Sequence, residues 1–435
     1  MPTTSDLAEL YRDLHAHPEL AFAEHRTAGL VANELRRLGY DTTEGIGGTG
    51  VVGQLTRGTG PVVLLRADMD ALPVTEETGL PYASTVTAVT ADGTETGVMH
   101  ACGHDVHTTC LLGAARELAG DDTGWTGTLL CCFQPAEERG TGAAAMVDAG
   151  LYDRFPRPSV VLGQHVAPMP AGMLALEPGW AFAALDTLQV TLHGRGGHAS
   201  QPQSAVDPVV LAAATILRLQ TIVAREVAPN DMAVVTVPSV HAGTADNVIP
   251  DRVELRLNIR TFDDAVRSRV LAAIERIVAH EAGAAGAPRP PDIEVVDSLP
   301  PLYNDPEAVA RTLPALESVT GAVPRPGPVT GSEDVGVLAR AADAPCVYWL
   351  LGGRDPTVFA DLDPGDLAAL IARIHEQPSL HSSRFAPVIE PTLRVGVRAL
   401  VAAARTWLST APTVGASRQP DQAAPHPVPP AQARG

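Results

Sequence analysis

Lysine is missing from this sequence, and all 31 of its basic residues are arginine. Without lysine there can be no lysine Schiff base, no lysine general base and no Walker-type phosphate loop, so the enzyme classes built on those groups are excluded. The 50 acidic residues give a formal net charge of −19, which disfavours nucleic acids and anionic membranes because both prefer a basic surface. We therefore expect neither a nucleic acid nor a membrane as a partner.

Cysteine and long apolar runs are scarce as well. The 435 residues include five cysteines, an odd number that does not suggest a disulfide framework and that favours a reducing, cytoplasmic location. No stretch approaches the roughly 20 apolar residues of a membrane helix, and the N-terminus lacks the basic start and apolar run of a secretory signal. Hydrophobic residues nevertheless make up 45% of the chain, so we expect a globular protein, with two domains from its length.

The order of the apolar patterns predicts the fold class. Residues 6–39 have apolar side chains at helical spacing and predict one long helix, interrupted around His17 and Pro18. Strand-like runs then alternate with helical patterns, which is typical of an α/β fold with a mostly parallel sheet covered by helices. Asp105 is predicted to be the N-cap of a helix at 106–119. The other predicted elements of this domain are strands at 50–55, 61–66, 126–133, 159–162 and 346–351, and helices at 142–149 and 393–408.

The pattern changes near residue 185, where apolar and polar residues begin to alternate as in a half-solvated strand. From there the elements follow the order β-α-β-β-α-β, which is typical of a ferredoxin-like α+β unit. We therefore predict a catalytic domain in two parts, 1–184 and 301–410, with an inserted domain at 185–300. Residues 411–435 contain few large apolar side chains and predict a disordered tail.

The densest cluster of reactive side chains is the run HACGHDVH at 100–107. In an extended segment alternate side chains face the same way, so Cys102 and His104 could reach one metal ion together, just before a helix begins. A loop with incidental histidines is the alternative, which so many such groups in so short a run disfavour. No second cysteine pair follows, so the run does not resemble a zinc finger.

A pair of carboxylates, Glu137 and Glu138, follows an apolar strand. Neighbouring side chains of an extended segment point in different directions, so one carboxylate could bind a metal while the other takes the proton from a water molecule. A solvated surface pair is the usual alternative, and the position at a strand end disfavours it. His165 and Asp70 also follow strand-like runs, and His381 lies in a loop near the C-terminal helix.

These positions predict one common site. In open α/β sheets the binding crevice lies beyond the carboxyl ends of the strands. A set of five nitrogen, oxygen and sulfur ligands is too large for one catalytic tetrahedral ion and suits two ions that share a bridge. The candidate ligands are Cys102, His104, Glu138, His165 and His381.

Several motifs, taken in order, resemble those of a known family. The sequence is similar to the aminoacylase/hippurate hydrolase family, and more closely to its subfamily of bacterial N-acyl-amino-acid amidohydrolases and plant auxin-conjugate hydrolases. The resemblance covers roughly residues 6–408. It is carried by HAHPEL at 15–20, RADMDALP at 66–73, HACGHDVH at 100–107, PAEE at 135–138, GRGGHA at 194–199, NVIP at 247–250 and SED at 332–334.

The resemblance implies a metal-dependent amidohydrolase with two divalent ions per chain, for which manganese, zinc, cobalt and nickel all stay open. Glu137 would be the general base and later the acid, and Asp70 would orient a metal ligand from behind. The metal ligands would be the five residues named above.

The resemblance also implies the substrate side of the site and an assembly. In dimeric relatives a histidine at the position of His198 reaches the partner's active site and helps to stabilise the oxyanion. Asn247 and Arg260 would hold the carbonyl and carboxylate groups of a small N-acyl amino acid or short peptide, and the planar guanidinium of Arg260 suits a carboxylate. Residues 185–300 would then act as a lid and as the dimerisation domain of a homodimer.

Two positions depart from the family pattern. Val335 stands where relatives often have Phe, and Ser383 where Pro commonly follows His-Ser; both could reshape the substrate pocket. Cys102 replaces the aspartate of wider relatives, which changes the metal preference and makes the site sensitive to oxidation. Three alternatives stay open: a dipeptidase or carboxypeptidase of the same family, a hydrolase with Cys102 as nucleophile, and a non-catalytic metal-binding protein.

Overall fold

The structure is a computed structural model that describes residues 4–90, 93–120, 124–363 and 365–408, so the predicted tail at 411–435 lies outside the described residues. Its α-helices are Thr4–Ala16 (α1), His25–Arg37 (α2), His104–Gly120 (α3), Gly142–Asp148 (α4), Leu151–Arg154 (α5), Pro208–Arg225 (α6), Asp264–Ala284 (α7), Pro306–Thr320 (α8), Val335–Ala342 (α9), Leu367–His375 (α10) and Thr392–Leu408 (α11). Its strands are Asp41–Ile46 (β1), Gly50–Arg57 (β2), Val62–Asp68 (β3), Thr87–Val89 (β4), Glu95–Gly97 (β5), Gly127–Gln134 (β6), Val160–Pro170 (β7), Leu174–Ala175 (β8), Gly179–Phe182 (β9), Ala184–His193 (β10), Gly197–His198 (β11), Ala233–Ala242 (β12), Val248–Ile249 (β13), Arg252–Thr261 (β14), Asp292–Leu299 (β15), Leu302–Asn304 (β16) and Cys346–Arg354 (β17).

The larger sheet has seven strands within the described ranges, in the order β1-β2-β6-β3-β7-β17-β8. Its centre is parallel, because β6, β3, β7 and β17 all run in one direction. The remaining strands pair antiparallel at the two edges. Since parallel strands end at the same edge, the residues that follow β3 and β6 are brought close together.

Both faces of this sheet are covered, as the continuous apolar runs of its strands predict. Along β3, Val63 and Leu65 join a core that includes residues of α1, α2, α3, α8 and α11. Leu64 points the other way and joins a second core with residues of α4, α5 and α9. The predicted α/β fold with a mostly parallel, helix-covered sheet is therefore confirmed.

Residues between β9 and β16 form the predicted ferredoxin-like unit. Its antiparallel sheet has the order β12-β14-β10-β15, and α6 and α7 pack on one face. Alternate residues of β14, including Leu255 and Leu257, are fully buried against these helices. Other apolar side chains of this sheet stay exposed, among them Val234, Val240 and Val295. This sheet therefore has one covered face and one that keeps apolar side chains in contact with solvent.

The insert joins the large sheet through a two-stranded ribbon. Strand β9 lies directly before the insert and β16 directly after it, and the two strands pair antiparallel. Trp180 and Tyr303 face each other across the ribbon with ring centroids 4.8 Å apart. Both passages of the chain between the two sheets thus run side by side.

The helical region predicted over residues 6–39, with an interruption around His17 and Pro18, is present as two helices, since α1 ends at Ala16 and α2 begins at His25. Pro18 has no backbone N–H and restricts the residue before it, which ends the helix. The side chain of Glu19 then accepts the backbone N–H groups of Arg26 and Thr27, both at 2.8 Å, and so caps the start of α2.

The prediction of Asp105 as an N-cap is wrong, because α3 already begins at His104. Gly103, with φ of 78°, makes the turn into the helix. Asp105 lies in the first turn instead, where its carboxylate binds His15 Nδ1 at 2.7 Å. A negative charge in this turn interacts favourably with the helix dipole.

Helix α6 is the one helix of the described ranges that is long and apolar enough to cross a membrane by length and composition alone, with 18 residues and a mean hydropathy of 1.4. Its buried side chains, including Leu211, Leu219 and Ile222, pack into the core of the four-stranded sheet. This is the packing of an amphipathic core helix, so α6 has a structural role within the insert.

Candidate functional site

Most of the predicted site residues meet at the carboxyl edge of the large sheet. Strand β3 ends at Asp68, close to Asp70, and β6 ends at Gln134, just before the short 3₁₀ helix Glu137–Arg139. His165 lies in β7, the neighbour of β3 in the sheet. The segment before α3 adds the remaining cysteine and histidine. The crevice predicted from the strand ends is therefore present.

The five predicted metal ligands lie within a few ångströms of one another. Cys102 Sγ is 3.5 Å from His165 Nε2, His104 Nε2 is 3.9 Å from Glu138 Oε1, and His381 Nε2 is 3.3 Å from Glu138 Oε2. Their ligand atoms form two groups, Cys102-His104-His165 and Cys102-Glu138-His381, each with all atoms within 4.8 Å. The two groups share Cys102, which is the arrangement that two neighbouring ions joined by one thiolate would need.

Two atoms at the centre of this cluster test whether a metal fits. His104 Nε2 and Glu138 Oε1 are buried and have no hydrogen-bond partner in the part of the chain that the structure describes. Leaving buried polar atoms unpaired is costly, so such atoms call for a further partner. An imidazole nitrogen and a carboxylate oxygen are both ligands of divalent transition metals. The residues present therefore fit a metal centre.

Asp70 organises the cluster from behind. Its Oδ1 lies 3.2 Å from His104 Nδ1 and accepts the backbone N–H of Glu137 at 3.1 Å, while its Oδ2 accepts the N–H of Glu138 at 3.0 Å. A hydrogen bond at Nδ1 leaves His104 Nε2 as the atom that faces the cluster. One buried carboxylate thus orients a histidine and the backbone that carries both glutamates.

The other histidines near the cluster have different environments. His165 Nδ1 donates to the carbonyl oxygen of Val166 at 2.7 Å, so its Nε2 carries the lone pair that faces Cys102. His107 is fully engaged, since its Nδ1 binds Asp68 at 2.6 Å and its Nε2 accepts the N–H of Val166 at 2.8 Å. His107 therefore supports the strand that carries His165 and has no nitrogen left for a metal.

His381 approaches from the rim. It has a left-handed backbone, with φ of 67°, and its N–H donates to the carbonyl oxygen of Ala101 at 2.9 Å. This bond ties the loop of His381 to the loop of Cys102. The side chain is 55% exposed, in contrast to the buried ligands, so His381 lies at the mouth of the site.

The electrostatics of the cluster indicate a need for positive charge. Burial, together with the carboxylates of Glu333 and Glu138, raises the pKa of Glu137 well above the usual range of a glutamate. Burial raises the pKa of Glu138 to about 7, although the nearby His104 opposes the shift. Burial also raises the pKa of the Cys102 thiol. A divalent cation among these groups would favour their charged forms.

A buried ion cluster below the site was missed in the sequence. Arg66 in β3 is fully buried and donates to Asp68 at 2.6 Å and to Asp334 at 2.9 Å, and it also lies 2.9 Å from Glu333. The carboxylates of Glu333 and Asp334 lie within 4.8 Å of that of Glu137. An arginine inside an apolar parallel strand was the signal for this cluster, because such a charge must be paired.

Above the cluster lies a cleft of about 670 Å³ between the large sheet and the insert. Arg260 of β14 reaches into it and donates to Ser332 Oγ at 2.7 Å and to Asn258 at 3.1 Å. Arg139 also lines the cleft. Neither arginine has a carboxylate within ion-pairing distance among the described residues. The apolar lining residues are Phe182, Leu185, Leu299, Val329 and Leu380.

His198 and Asn247 do not join this cleft within one chain. Both line a second cavity, of about 830 Å³, on the insert, together with His241 and Glu254. His198 is exposed, and its Nδ1 accepts from the N–H and hydroxyl of Ser200, which leaves Nε2 directed away from that turn. The predicted site residues therefore divide into a metal cluster with Arg260, and a separate pair on the insert.

The sequence of this chain is similar to one known protein family and to individual relatives. The family described as Peptidase family M20/M25/M40 matches residues 64–375. Thermostable carboxypeptidase 1 of Saccharolobus solfataricus is 37% identical over 356 residues, which cover 80% of this chain and 86% of that protein. The hippurate hydrolase of Campylobacter jejuni is 41% identical over 274 residues, 62% of this chain and 68% of that protein.

A solved structure extends the likeness to three dimensions. The Bacillus subtilis protein described as a dinuclear metal binding peptidase from the M20 family superposes with a TM-score of 0.72 at 28% identity. The match covers 93% of this chain and 98% of that one. Fold and sequence thus point to the same family.

Proposed function

Since the chain belongs to peptidase family M20/M25/M40 and is a metal-dependent hydrolase of amide bonds, we propose that its substrates are N-acylated amino acids. The observation that carries this proposal is the cleft itself. It combines a cluster of metal-ligand types, the carboxylate of Glu137, and the guanidinium of Arg260 in one cavity. These three parts would serve activation of water, proton transfer, and binding of a free carboxylate.

The proposed ligand set is the one predicted from the sequence: Cys102, His104, Glu138, His165 and His381. Two divalent ions held there would polarise the amide carbonyl and lower the pKa of water, which is the chemistry such ions supply. Asp70 would keep His104 and the two glutamates in place. The mixed sulfur, nitrogen and oxygen set is compatible with manganese, zinc, cobalt or nickel.

Glu137 is the proposed general base. Its Oε2 lies 3.8 Å from His104 Nε2, so it borders the cluster, while Glu138 contacts both His104 and His381. Glu137 would accept the proton of the attacking water and then deliver it to the leaving nitrogen.

The lining of the cleft supports an anionic substrate with an apolar acyl group. Arg139 and Arg260 bring two positive charges without carboxylate partners among the described residues, in a chain whose net charge is −19. Arg260 and Ser332 would bind the carboxylate of the amino acid, since a guanidinium pairs well with this group. The apolar wall that includes Leu185 and Leu380 would receive the acyl chain.

We further propose that the active unit is a homodimer formed through the insert. Strand β12 is an edge strand, and its Val234 and Val240 are exposed, as are Val210 and Leu217 of α6. Apolar side chains on an edge strand and an adjacent helix are typical of a contact surface. Dimerisation would give His198 and Asn247 a partner site to complete.

The experiment combines metal analysis with a matched substrate panel. Purified protein is treated with chelator, the four candidate metals are returned one at a time, and turnover is measured on hippurate, its carboxylate-blocked amide, N-acetyl amino acids and dipeptides. We expect about two ions per chain, loss and recovery of turnover with metal, and preference for hippurate over its amide. Turnover that survives complete metal removal would contradict the proposal and favour Cys102 as a nucleophile.

A carboxypeptidase is the second candidate, because the relative from Saccharolobus solfataricus carries that name. N-blocked peptides of increasing length separate the two functions. A carboxypeptidase would hydrolyse them at least as well as N-acyl amino acids, whereas the proposed function predicts that rates fall as the acyl group becomes a peptide.

A further inference from the structure

The segment that carries both glutamates is held by its backbone. Three consecutive N–H groups donate to buried carboxylates: that of Ala136 to Glu24 Oε1 at 2.9 Å, and those of Glu137 and Glu138 to the two oxygens of Asp70. Asp70 also contacts His104, which explains its place at the site. Among the described residues Glu24 has no hydrogen bond to a predicted site residue, and its presence needs its own explanation.

Ala136 has a backbone that alanine rarely adopts. Its φ is 50° and its ψ is 40°, which is the left-handed region. A residue with a Cβ atom persists there only when its surroundings hold it. The residue is fully buried; its N–H donates to Glu24 as the chain enters the turn, and its carbonyl oxygen accepts the N–H of Gly142 at 3.2 Å.

Glu24 is built into this place from another part of the chain. It is fully buried, and its carboxylate also accepts the N–H of Phe22 at 3.0 Å and the hydroxyl of Thr49. Although Glu24 directly precedes α2, its side chain makes no capping bond to that helix. Glu19 performs the capping instead. The side chain of Glu24 is thus directed to the turn and not to its own helix.

We propose that Glu24 is a positioning residue for catalysis: by holding Ala136 in the left-handed conformation, it sets the directions in which Glu137 and Glu138 leave the turn. This inference rests on the proposed function, in which the first carboxylate must stay free for proton transfer while the second binds metal. A turn without this anchor would relax, and the free carboxylate would lose its alignment with the attacked bond.

The hydrogen bonds of Glu24 predict how its variants differ. In Glu24→Gln the amide oxygen can accept the two backbone N–H groups, and its NH₂ group can donate to Thr49, whose hydroxyl can also accept. Glu24→Met has a similar length but no acceptor. Glu19→Met is the matched control, since it removes two comparable backbone bonds from the start of α2, away from the turn.

The test measures kcat, KM, metal content and thermal stability of the full-length protein and these variants. For Glu24→Met we expect kcat per metal-loaded site to fall between about tenfold and 100-fold, as a misaligned catalytic group does, with KM close to wild type. Metal content is measured on the same sample because a displaced Glu138 would also weaken metal binding. Glu24→Gln should have a kcat much closer to that of the wild type than Glu24→Met has. Glu19→Met should lower the melting temperature without a comparable loss of kcat.

Each outcome separates the inference from its alternatives. A Glu24→Met enzyme with wild-type kcat, or a Glu19→Met enzyme that loses as much kcat, overturns the positioning role. If Glu24→Met does not fold, Thr49→Val removes one partner of Glu24 more gently; a several-fold loss of kcat at constant KM supports the role and an unchanged kcat overturns it. Wild-type protein that hydrolyses no N-acyl amino acid overturns the proposed function and this inference with it.

Discussion

The candidate functional residues near the two sheets differ in how far they are buried. In the large sheet, strands are buried on both faces; Glu137 follows the end of β6, and the buried Cys102 and His104 lie beside it at the start of α3. In the insert, one face of the sheet is covered and apolar side chains on other parts of it stay exposed. His198 and Asn247 lie at the rim of this half-covered unit, in a cavity away from the metal cluster.

This contrast separates two requirements of catalysis. A metal cluster needs ligand atoms held to a fraction of an ångström, and only a region with locked rotamers and buried hydrogen bonds provides that. Groups that close over a substrate must move or come from a second subunit. Groups fixed inside a rigid core can do neither. In the proposed function the insert would supply the second kind of group, and its exposed surface agrees with that role.

The strongest test of the buried region is Glu137→Gln. The variant removes the proposed base without removing a metal ligand, so we expect kcat to fall about 10³-fold while metal content stays at the wild-type level. Steady-state kinetics and metal analysis of the same sample check both points. Glu138→Gln is the control, because it should lose metal as well as activity. Normal turnover by Glu137→Gln would rule out this base.

The corresponding test of the insert is His198→Ala, for which we expect kcat to fall about 10²-fold, as the loss of an oxyanion donor does. If His198 acts across subunits, mixing this variant with Glu137→Gln should restore part of the activity, because one site of each mixed dimer then has both groups. Sedimentation measures the assembly. A monomer with full activity, or two inactive variants that do not complement, would contradict the proposal that His198 completes the partner's site.

Arg260 lies where the two regions meet, and Arg260→Gln sharpens the comparison. We expect KM for an N-acyl amino acid to rise about tenfold or more, because a charge-assisted hydrogen bond to the substrate carboxylate is lost. A carboxylate-blocked amide of the same substrate should be affected much less. Equal losses on both compounds would show that Arg260 supports the cleft through Ser332 and does not read the carboxylate.

The smallest effect concerns a buried network behind the metal cluster. Burial lowers the pKa of His15, but hydrogen bonds with Asp105 and Glu76 outweigh it and raise this pKa to about 10. Since the pKa in the unfolded chain is about 6.5, the stabilisation by protonated His15 is complete below that pH and is lost as the pH rises toward 10. Urea unfolding of wild type and His15→Gln should therefore give a difference in unfolding free energy that shrinks over this window. A difference that grows with pH would contradict the charged state of His15.

The fold was predictable where local pattern and tertiary contact agree. Continuous apolar runs marked the parallel centre of the large sheet, and alternation marked the insert. In residues 6–39 the break at His17 and Pro18 was predicted but not its length, because the apolar spacing does not show that α2 begins only at His25. Asp105 failed because Gly103, rather than an N-cap side chain, makes the turn into α3.

The site was predictable only as far as its residues lie in short motifs next to strand ends. Glu24 lies in none of these motifs, and the SED motif gave Asp334 no role, because the two residues reach Ala136 and Arg66 from distant parts of the chain. Only packing brings these groups together. The positions of His198 and Asn247 relative to a substrate are likewise set by contacts that one sequence does not encode locally.

The ribbon of β9 and β16 has a mechanical consequence. Two strands joined by hydrogen bonds resist sliding past one another but can bend together. The insert also contacts the other domain through Asp264 with Arg340 and through Arg260 with Ser332, so a rotation of the insert that bends this ribbon would change the distance from Arg260 to Ser332. The candidate metal ligands all lie outside the insert and would keep their positions during such a rotation.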